Sequence, residues 1–190
     1  MHYQPLNVPL SYPISAIYQN TAPNETSPWV MPGVYTVCLH VDGKRYCQRL
    51  EIKMDPRVKT SMADLQKQHD LSLQSYEMRK QCMELVKDVH AFRVGLQSQL
   101  TSAERSVAER LGPLERQAGA LEGAQATGFG GGGGQQEPSF NRLNSSFASL
   151  FNVLQESDRP PTTQALQTFN ELKKQFDELV KKWEELKSKQ

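Results

Sequence analysis

The sequence predicts an α+β, mainly α protein, in which a partial β-sandwich hairpin precedes an antiparallel helical bundle with long amphipathic helices. Residues 34–53 alternate apolar and polar side chains on both sides of an Asp-Gly turn, which is typical of a β-hairpin. From residue 60 onward apolar residues recur every three or four positions, which is typical of amphipathic helices. These patterns predict two domains, residues 1–57 and residues 60–190.

The predicted hairpin turns at Asp42 and Gly43, because a two-residue turn of the favoured hand needs positive φ at both central positions. Counting back from that turn places Cys38 opposite Cys47 on a non-hydrogen-bonded pair, where side chains approach closely. A cross-strand disulfide is therefore geometrically possible, and two free thiols are the alternative. A metal site that also uses His40 is less favoured, since zinc sites usually offer pairs of closely spaced ligands.

The predicted hairpin has one apolar face, which needs a partner because an isolated two-stranded hairpin is at best marginally stable. Either the missing strands of a sandwich or the helices could cover this face. The thirty residues before it are rich in proline and supply at most one short strand, near residues 14–18. The apolar face consists of Tyr35, Val37, Leu39, Val41, Tyr46, Leu50 and Ile52.

Four helices are predicted, at about residues 62–100, 102–122, 139–156 and 162–188, with a flexible glycine-rich linker at 123–138. Ser61 is the expected cap of the first helix, with Asp64 three residues further on. In this helix Cys82 is expected to be a small core residue, since it lies on an apolar stripe that is interrupted at Ser75. That stripe consists of Leu71, Met78, Cys82, Leu85, Val89, Phe92 and Leu96.

The fourth predicted helix carries large apolar residues at both core positions of three heptads. We name these residues the fourth-helix seam. The seam is either an interaction surface for a partner or a second copy, or part of the bundle's own core. It consists of Phe169, Leu172, Phe176, Leu179, Trp183 and Leu186.

The sequence predicts no catalytic, cofactor-binding or metal-binding residue. Its four histidines are scattered, and no lysine followed by serine or threonine comes after the glycine run at 130–134, so a phosphate loop is not indicated. The net charge of +1 predicts no binding to nucleic acid. No apolar run approaches the roughly 20 residues of a membrane span, and no signal peptide is recognisable. The marginal hairpin leads us to expect a fragment of a longer protein.

Three stretches resemble the C-terminal end of a bacterial family of large β-propeller proteins, labelled glycosyl hydrolase with BNR repeats or sortilin (VPS10)-like. They are WVMPGVYTV at 29–37, VDGK at 41–44 and LEIKMDPRV at 50–58. The resemblance continues through residues 64–73 and is weaker at 152–155 and 179–186. In that family a Pro-Gly-x-Tyr-x-Val strand and an Asp-Gly-Lys turn complete an immunoglobulin-like sandwich, and a Lys-x-Asp-Pro-Arg-Val segment leads into a helical tail.

This resemblance implies a partial immunoglobulin-like sandwich in a parent protein exported from a bacterial cell, and hence an extracytoplasmic location. An oxidising location favours the disulfide between Cys38 and Cys47. The propeller repeats that carry the hydrolase label are absent from this sequence, so no catalytic residue is transferred. The two cysteines stand where ordinary strand residues are expected, so the family does not define their role.

We therefore expect a non-catalytic C-terminal accessory, scaffolding or interaction module of a larger exported protein. Its expected partner is the propeller domain of the parent or a self-associating copy, with neither nucleic acid nor membrane involved. Two alternatives are a fragment of a glycoside hydrolase acting on polysaccharide and a free-standing coiled-coil adaptor.

Overall fold

The computed structural model of this chain describes residues 27–101, 104–123 and 137–189. The predicted class, α+β and mainly α, is confirmed, since a two-stranded antiparallel hairpin precedes four helices that pack together. The expected strand near residues 14–18 and the glycine run at 130–134 lie outside the described residues. The elements are β1 (Gly33–Val41), β2 (Lys44–Ile52), α1 (Met62–Thr101), α2 (Arg105–Glu122), α3 (Phe140–Gln155) and α4 (Thr163–Lys187).

The chain divides into two compact units. The described part of unit 1 comprises residues 27–73 and 155–161, so the hairpin is grouped with the start of α1 and with the segment between α3 and α4. The described part of unit 2 comprises most of α1 together with α2, α3 and α4. The predicted ranges 1–57 and 60–190 follow the change in secondary structure, whereas these units follow contacts between residues.

In unit 1 the hairpin turns where the sequence predicts. Asp42 and Gly43 have φ values of 49° and 73°, and Val41 pairs with Lys44 on either side of them. The first helix also begins as expected, because the Ser61 hydroxyl accepts a hydrogen bond from the amide of Asp64 at 3.1 Å. Both features depend on residues close together in the sequence.

In unit 2 the helices α2 and α3 follow one another along α1. Residues 90 and 97 of α1 contact residues 122 and 115 of α2, so these two helices are antiparallel. The side-chain amide of Asn141 donates to the carbonyl of Gly123 at 2.9 Å, which joins the end of α2 to the start of α3. Further along, Tyr76 of α1 lies beside Phe151 of α3, with ring centroids 6.2 Å apart. The length of α1, about 60 Å, is thus shared between α2 and α3.

The core of unit 2 is built by aromatic contacts of α4 with α1 and α3. Phe176 packs on Phe140 and Phe169 on Phe147, so α4 runs antiparallel to α3. At the other end of α4, Trp183 meets the ring of Phe92 edge-on, with centroids 5.2 Å apart. Such edge-to-face pairs stabilise a core beyond the area they bury.

Met78, Cys82, Val89 and Leu96 of the apolar stripe are buried in this core, and Cys82 is completely buried. Leu85 and Phe92 are half-buried, and Leu71, at the start of the stripe, is buried in unit 1. Ser75 is completely buried too, so the interruption in the apolar pattern is not an interruption in the packing. A small hydroxyl side chain fits between helices where a larger side chain does not.

Candidate interaction site on the hairpin

The apolar face of the hairpin is open to solvent along its outer half. Leu39 pairs with Tyr46 across the ladder, and these two side chains remain 62% and 57% exposed. Val37 and Val41, two residues to either side of Leu39, are exposed on the same face. Nearer the base, Tyr35, Leu50 and Ile52 are half-buried. The expected apolar face is therefore present, and in the described part of the chain only its base is covered.

The opposite face of the hairpin carries a disulfide. Cys38 and Cys47 are cross-strand partners, with Cα atoms 4.1 Å apart, and their sulfurs are bonded. This separation matches a non-hydrogen-bonded pair, as the register predicts. The guanidinium of Arg45 donates a hydrogen bond to Sγ of Cys38 at 3.3 Å. Of the three interpretations of these cysteines, the structure has the disulfide.

A groove of about 220 Å³ lies at the base of the hairpin in unit 1. Its apolar lining comes from the segment before β1, from the end of β2 and from the first turn of α1. This volume is below the roughly 300–1,000 Å³ of ordinary ligand pockets, and it suits a single side chain of a partner. The apolar residues of the lining include Trp29, Met31, Ile52, Met54 and Leu65.

A polar network holds the wall of this groove. The side chain of Gln155 accepts a hydrogen bond from the amide of Trp29 at 2.9 Å and donates one to the hydroxyl of Ser72 at 2.8 Å. The side-chain amide of Gln68 donates to the carbonyl of Ser157 at 2.6 Å. Because Ser72 is completely buried and Gln68 nearly so, these bonds satisfy polar groups that water cannot reach.

The reactive side chains that the structure describes do not converge. No group of three or more histidine, cysteine or carboxylate side chains that could hold a metal ion occurs among the described residues. The thiol of Cys82 is not a nucleophile at neutral pH, since burial raises its pKa to about 12. His40 lies on the exposed polar face of the hairpin, and His90 lies beside a carboxylate oxygen of Glu122 at 3.0 Å. His2 lies outside the described residues.

The densest charge network lies between α1 and α2 in unit 2. The guanidinium of Arg93 donates to Glu115 at 2.8 Å and to Glu122 at 2.6 Å. It crosses α2 at Gly119, where a Cβ atom would come within 3.3 Å of it. The hydrogen bonds from Arg93 lower the pKa of Glu115, and the side-chain amide of Gln97 adds a third hydrogen bond with the same effect. All these groups pair with one another, so the network stabilises the helix pair and presents no unpaired charge to a substrate.

The fourth-helix seam lies inside unit 2. All six of its side chains are at most 9% exposed, and they face α1, α2 and α3. The alternative in which the seam belongs to the bundle's own core is therefore the one that the structure shows. The aromatic side chains of α1 and α3 already fill the space against it.

The comparisons with known proteins found no matching family model, no matching curated protein and no matching solved structure. The resemblance to the BNR-repeat and sortilin-like proteins thus stays a prediction. Among the described helices, none combines the length and the apolar character needed to cross a bilayer.

Sequence reasoning did not find Gln155 or Ser72. The gap in the apolar stripe of α1 could have pointed to buried serines, because the positions around it keep helical spacing. Nothing local marks Gln155, whose partner Ser72 is 83 residues away in the chain. The cross-strand register places Arg45 opposite His40 and two residues from Cys47. This placement can be predicted from the position of the Asp-Gly turn alone.

Proposed function

We propose that this chain is a non-catalytic C-terminal interaction module of a larger exported β-propeller protein, and that it docks on its parent through the apolar face of the hairpin. The observation that carries this proposal is the exposed outer half of that face, formed by Val37, Leu39, Val41 and Tyr46. Three branched aliphatic side chains and an aromatic ring in one contiguous patch are typical of a surface that another protein covers.

The energetics favour a partner for this face. Fully burying a large apolar side chain contributes about 1.5–3 kcal/mol, so covering four half-exposed ones contributes several kcal/mol before the costs of association. The described sheet has two strands only, each paired with the other, so both of its outer edges are available for further strands. A sheet packing face to face on the hairpin would complete a sandwich.

The resemblance to the BNR-repeat and sortilin-like proteins is the basis for the proposed partner. The Pro-Gly-x-Tyr-x-Val pattern at 32–37 and the exit segment at 53–58 are the parts of the sequence that match the sandwich end of the BNR-repeat and sortilin-like proteins. The patch lies on the strands that these patterns define, so the proposed partner is the remaining sandwich and propeller of the parent. A disulfide in the hairpin agrees with export to an oxidising compartment.

Two experiments test this proposal. The first is to sequence the DNA that precedes the coding region, which we expect to encode propeller repeats in the same reading frame.

The second experiment is hydrogen exchange of the hairpin amides. In the longer protein, the amides of β1 and β2 should exchange at least tenfold more slowly than in the present chain, because a covered apolar face stabilises the hairpin. The variant Leu39→Ser should restore fast exchange in the longer protein, whereas Thr36→Ser, on the polar face, should not.

Other results would contradict the proposal. An upstream region without propeller repeats would contradict the proposed parent protein. Equal exchange of the hairpin amides in the short and long proteins would contradict docking through the hairpin. A dimer of the present chain that Leu39→Ser dissociates would show that a second copy, and not the parent, covers the face.

A further inference from the structure

We propose that the Cys38–Cys47 disulfide is a thiol-exchange site of fixed polarity, in which an external thiolate attacks Sγ of Cys47 and Cys38 departs as the thiolate. The attacking partner is a dithiol. Two independent features of the hairpin select the same direction of attack, namely the exposure of the two cysteines and the position of Arg45.

The first feature is access. Cys47 is exposed on β2, whereas Cys38 is half-buried on β1. Thiol–disulfide exchange depends on which sulfur the incoming thiolate can reach. Apart from Val34, which is also exposed, the side chains that share this polar face are hydrophilic and largely exposed, so the approach to Cys47 is open. They are Thr36, His40, Arg45, Arg49 and Glu51.

The second feature is the position of the positive charge. Arg45 donates a hydrogen bond to Sγ of Cys38, at 3.3 Å, and among the described residues no other side chain is hydrogen-bonded to either sulfur of the disulfide. A guanidinium next to a sulfur stabilises its thiolate, and a thiol whose thiolate is stabilised leaves faster. Arg45 thus favours breaking the bond with the electron pair on Cys38.

The exchange balances without any further reagent. The first thiolate of the dithiol forms a bond to Sγ of Cys47, while the Cys38–Cys47 bond breaks and leaves the electron pair on Sγ of Cys38. The second thiol of the partner loses its proton and attacks the partner's own sulfur in the mixed disulfide, releasing Cys47. The two protons of the dithiol end on Cys38 and Cys47, so the protein disulfide is reduced and the partner is oxidised.

Opening the disulfide affects the surface on the other side of the hairpin. The disulfide joins β1 and β2 near the middle of both strands, at residues whose neighbours Val37, Leu39 and Tyr46 form the exposed apolar patch. A two-stranded hairpin without this link is only marginally stable. Exchange at this site therefore removes the covalent link between the two strands that carry the patch.

Trapping with glutathione tests the polarity. The purified oxidised protein is treated with reduced glutathione, quenched with iodoacetamide and mapped by peptide mass spectrometry. We expect glutathione on Cys47 and the alkyl group on Cys38, in at least tenfold excess over the reverse pattern. The buried Cys82 should stay unmodified, which checks that the chain is folded.

Two arginine variants test the role of the charge. Arg45→Gln should slow reduction by dithiothreitol about threefold or more, because the Cys38 thiolate then leaves without the positive charge beside it. Arg49→Gln is the matched control, because it removes the other arginine of the same face. Its rate of reduction should stay within twofold of the rate of the unsubstituted protein. Arg45→Lys should recover part of the lost rate.

The opposite results overturn the proposal. Glutathione mainly on Cys38 would reverse the polarity. Equal slowing in the two glutamine variants, or no slowing in Arg45→Gln, would show that the guanidinium does not act on the leaving sulfur. Free Cys38 and Cys47 in protein purified without reductant would show that the exchange site is not formed.

Discussion

At the scale of single residues, Arg93 is the side chain that joins α1 to α2 most directly. It reaches two carboxylates that lie two turns apart on α2, and Gly119 between them gives its guanidinium room to lie against the helix. Both carboxylates are largely shielded, with 19% and 13% of their side chains exposed. A pair held in this way contributes more than an ordinary surface ion pair, because water screens it less.

Glu115→Gln should therefore destabilise the protein by about 1–2 kcal/mol at neutral pH, since it weakens three hydrogen bonds to a charged acceptor. Arg93 holds the pKa of Glu115 below its ordinary value of 4.5. A lowered pKa stabilises the fold fully above that ordinary value, and the contribution disappears as the pH falls through the lowered one. The difference between the two proteins in urea-unfolding free energy should thus shrink on acidification.

A second substitution on α2 serves as the control for this prediction. Glu109 pairs with Arg105 at 3.1 Å, but both side chains are mostly exposed. Glu109→Gln should cost at most a few tenths of a kcal/mol at any pH. If the two glutamine variants lose equal stability, or if the effect of Glu115→Gln persists below the carboxylate titration, the network does not contribute as described.

At the scale of elements, α4 contributes the main apolar surface of unit 2, and Phe176 lies at its middle. This ring is 6% exposed and packs against Phe140 at 6.2 Å. Phe176→Ala should cost about 3–5 kcal/mol, because it removes a large buried side chain and leaves a cavity. Urea unfolding followed by circular dichroism at 222 nm measures this cost.

The matched control lies on the opposite side of the same helix. Glu178 is exposed, so Glu178→Ala should change the unfolding free energy by less than about 0.5 kcal/mol. A cost below about 1 kcal/mol for Phe176→Ala would mean that this face of α4 is not part of a packed core.

The elements that the sequence predicts are those whose causes are local. The Asp-Gly turn determines its own backbone and thereby the pairing of Cys38 with Cys47, and heptad spacing predicts the apolar face of α4. The network around Gln155 depends instead on Ser72, 83 residues away, and no periodic pattern marks a buried amide. The oxidation of the cysteines and the exposure of the hairpin face also required the structure, because a side-chain pattern identifies an apolar face without showing what covers it.

At the scale of the whole molecule, the contacts of unit 2 suggest that its core does not need the hairpin. The rings that pack against α4 belong to Phe92, Phe140 and Phe147, all within unit 2. Unit 1 has its own hydrogen bonds, from the backbone amide of Trp29 to the side chain of Gln155 and from the hydroxyl of Thr60 to the carbonyl of Asp158 at 2.6 Å. A protein without residues 1–57 should therefore keep the helical signal and a cooperative unfolding transition.

Tryptophan fluorescence makes this prediction specific to unit 2. The chain has two tryptophans, and the truncation removes Trp29, so Trp183 becomes the single reporter. It is 2% exposed, beside the ring of Phe92 and with the ammonium group of Lys187 5.4 Å from its ring centroid. The matched control is the full chain with Trp29→Phe, which has the same reporter. We expect the urea midpoints of these two proteins to lie within about 0.3 M of each other. A domain-sized unit loses about 1–3 kcal/mol of unfolding free energy per molar urea, so this difference in midpoint corresponds to less than about 1 kcal/mol.

A lower midpoint or a broader transition in the truncated protein would show that the environment of Trp183 depends on residues 1–57. That result would count against the proposal that the hairpin is available to dock on the parent protein.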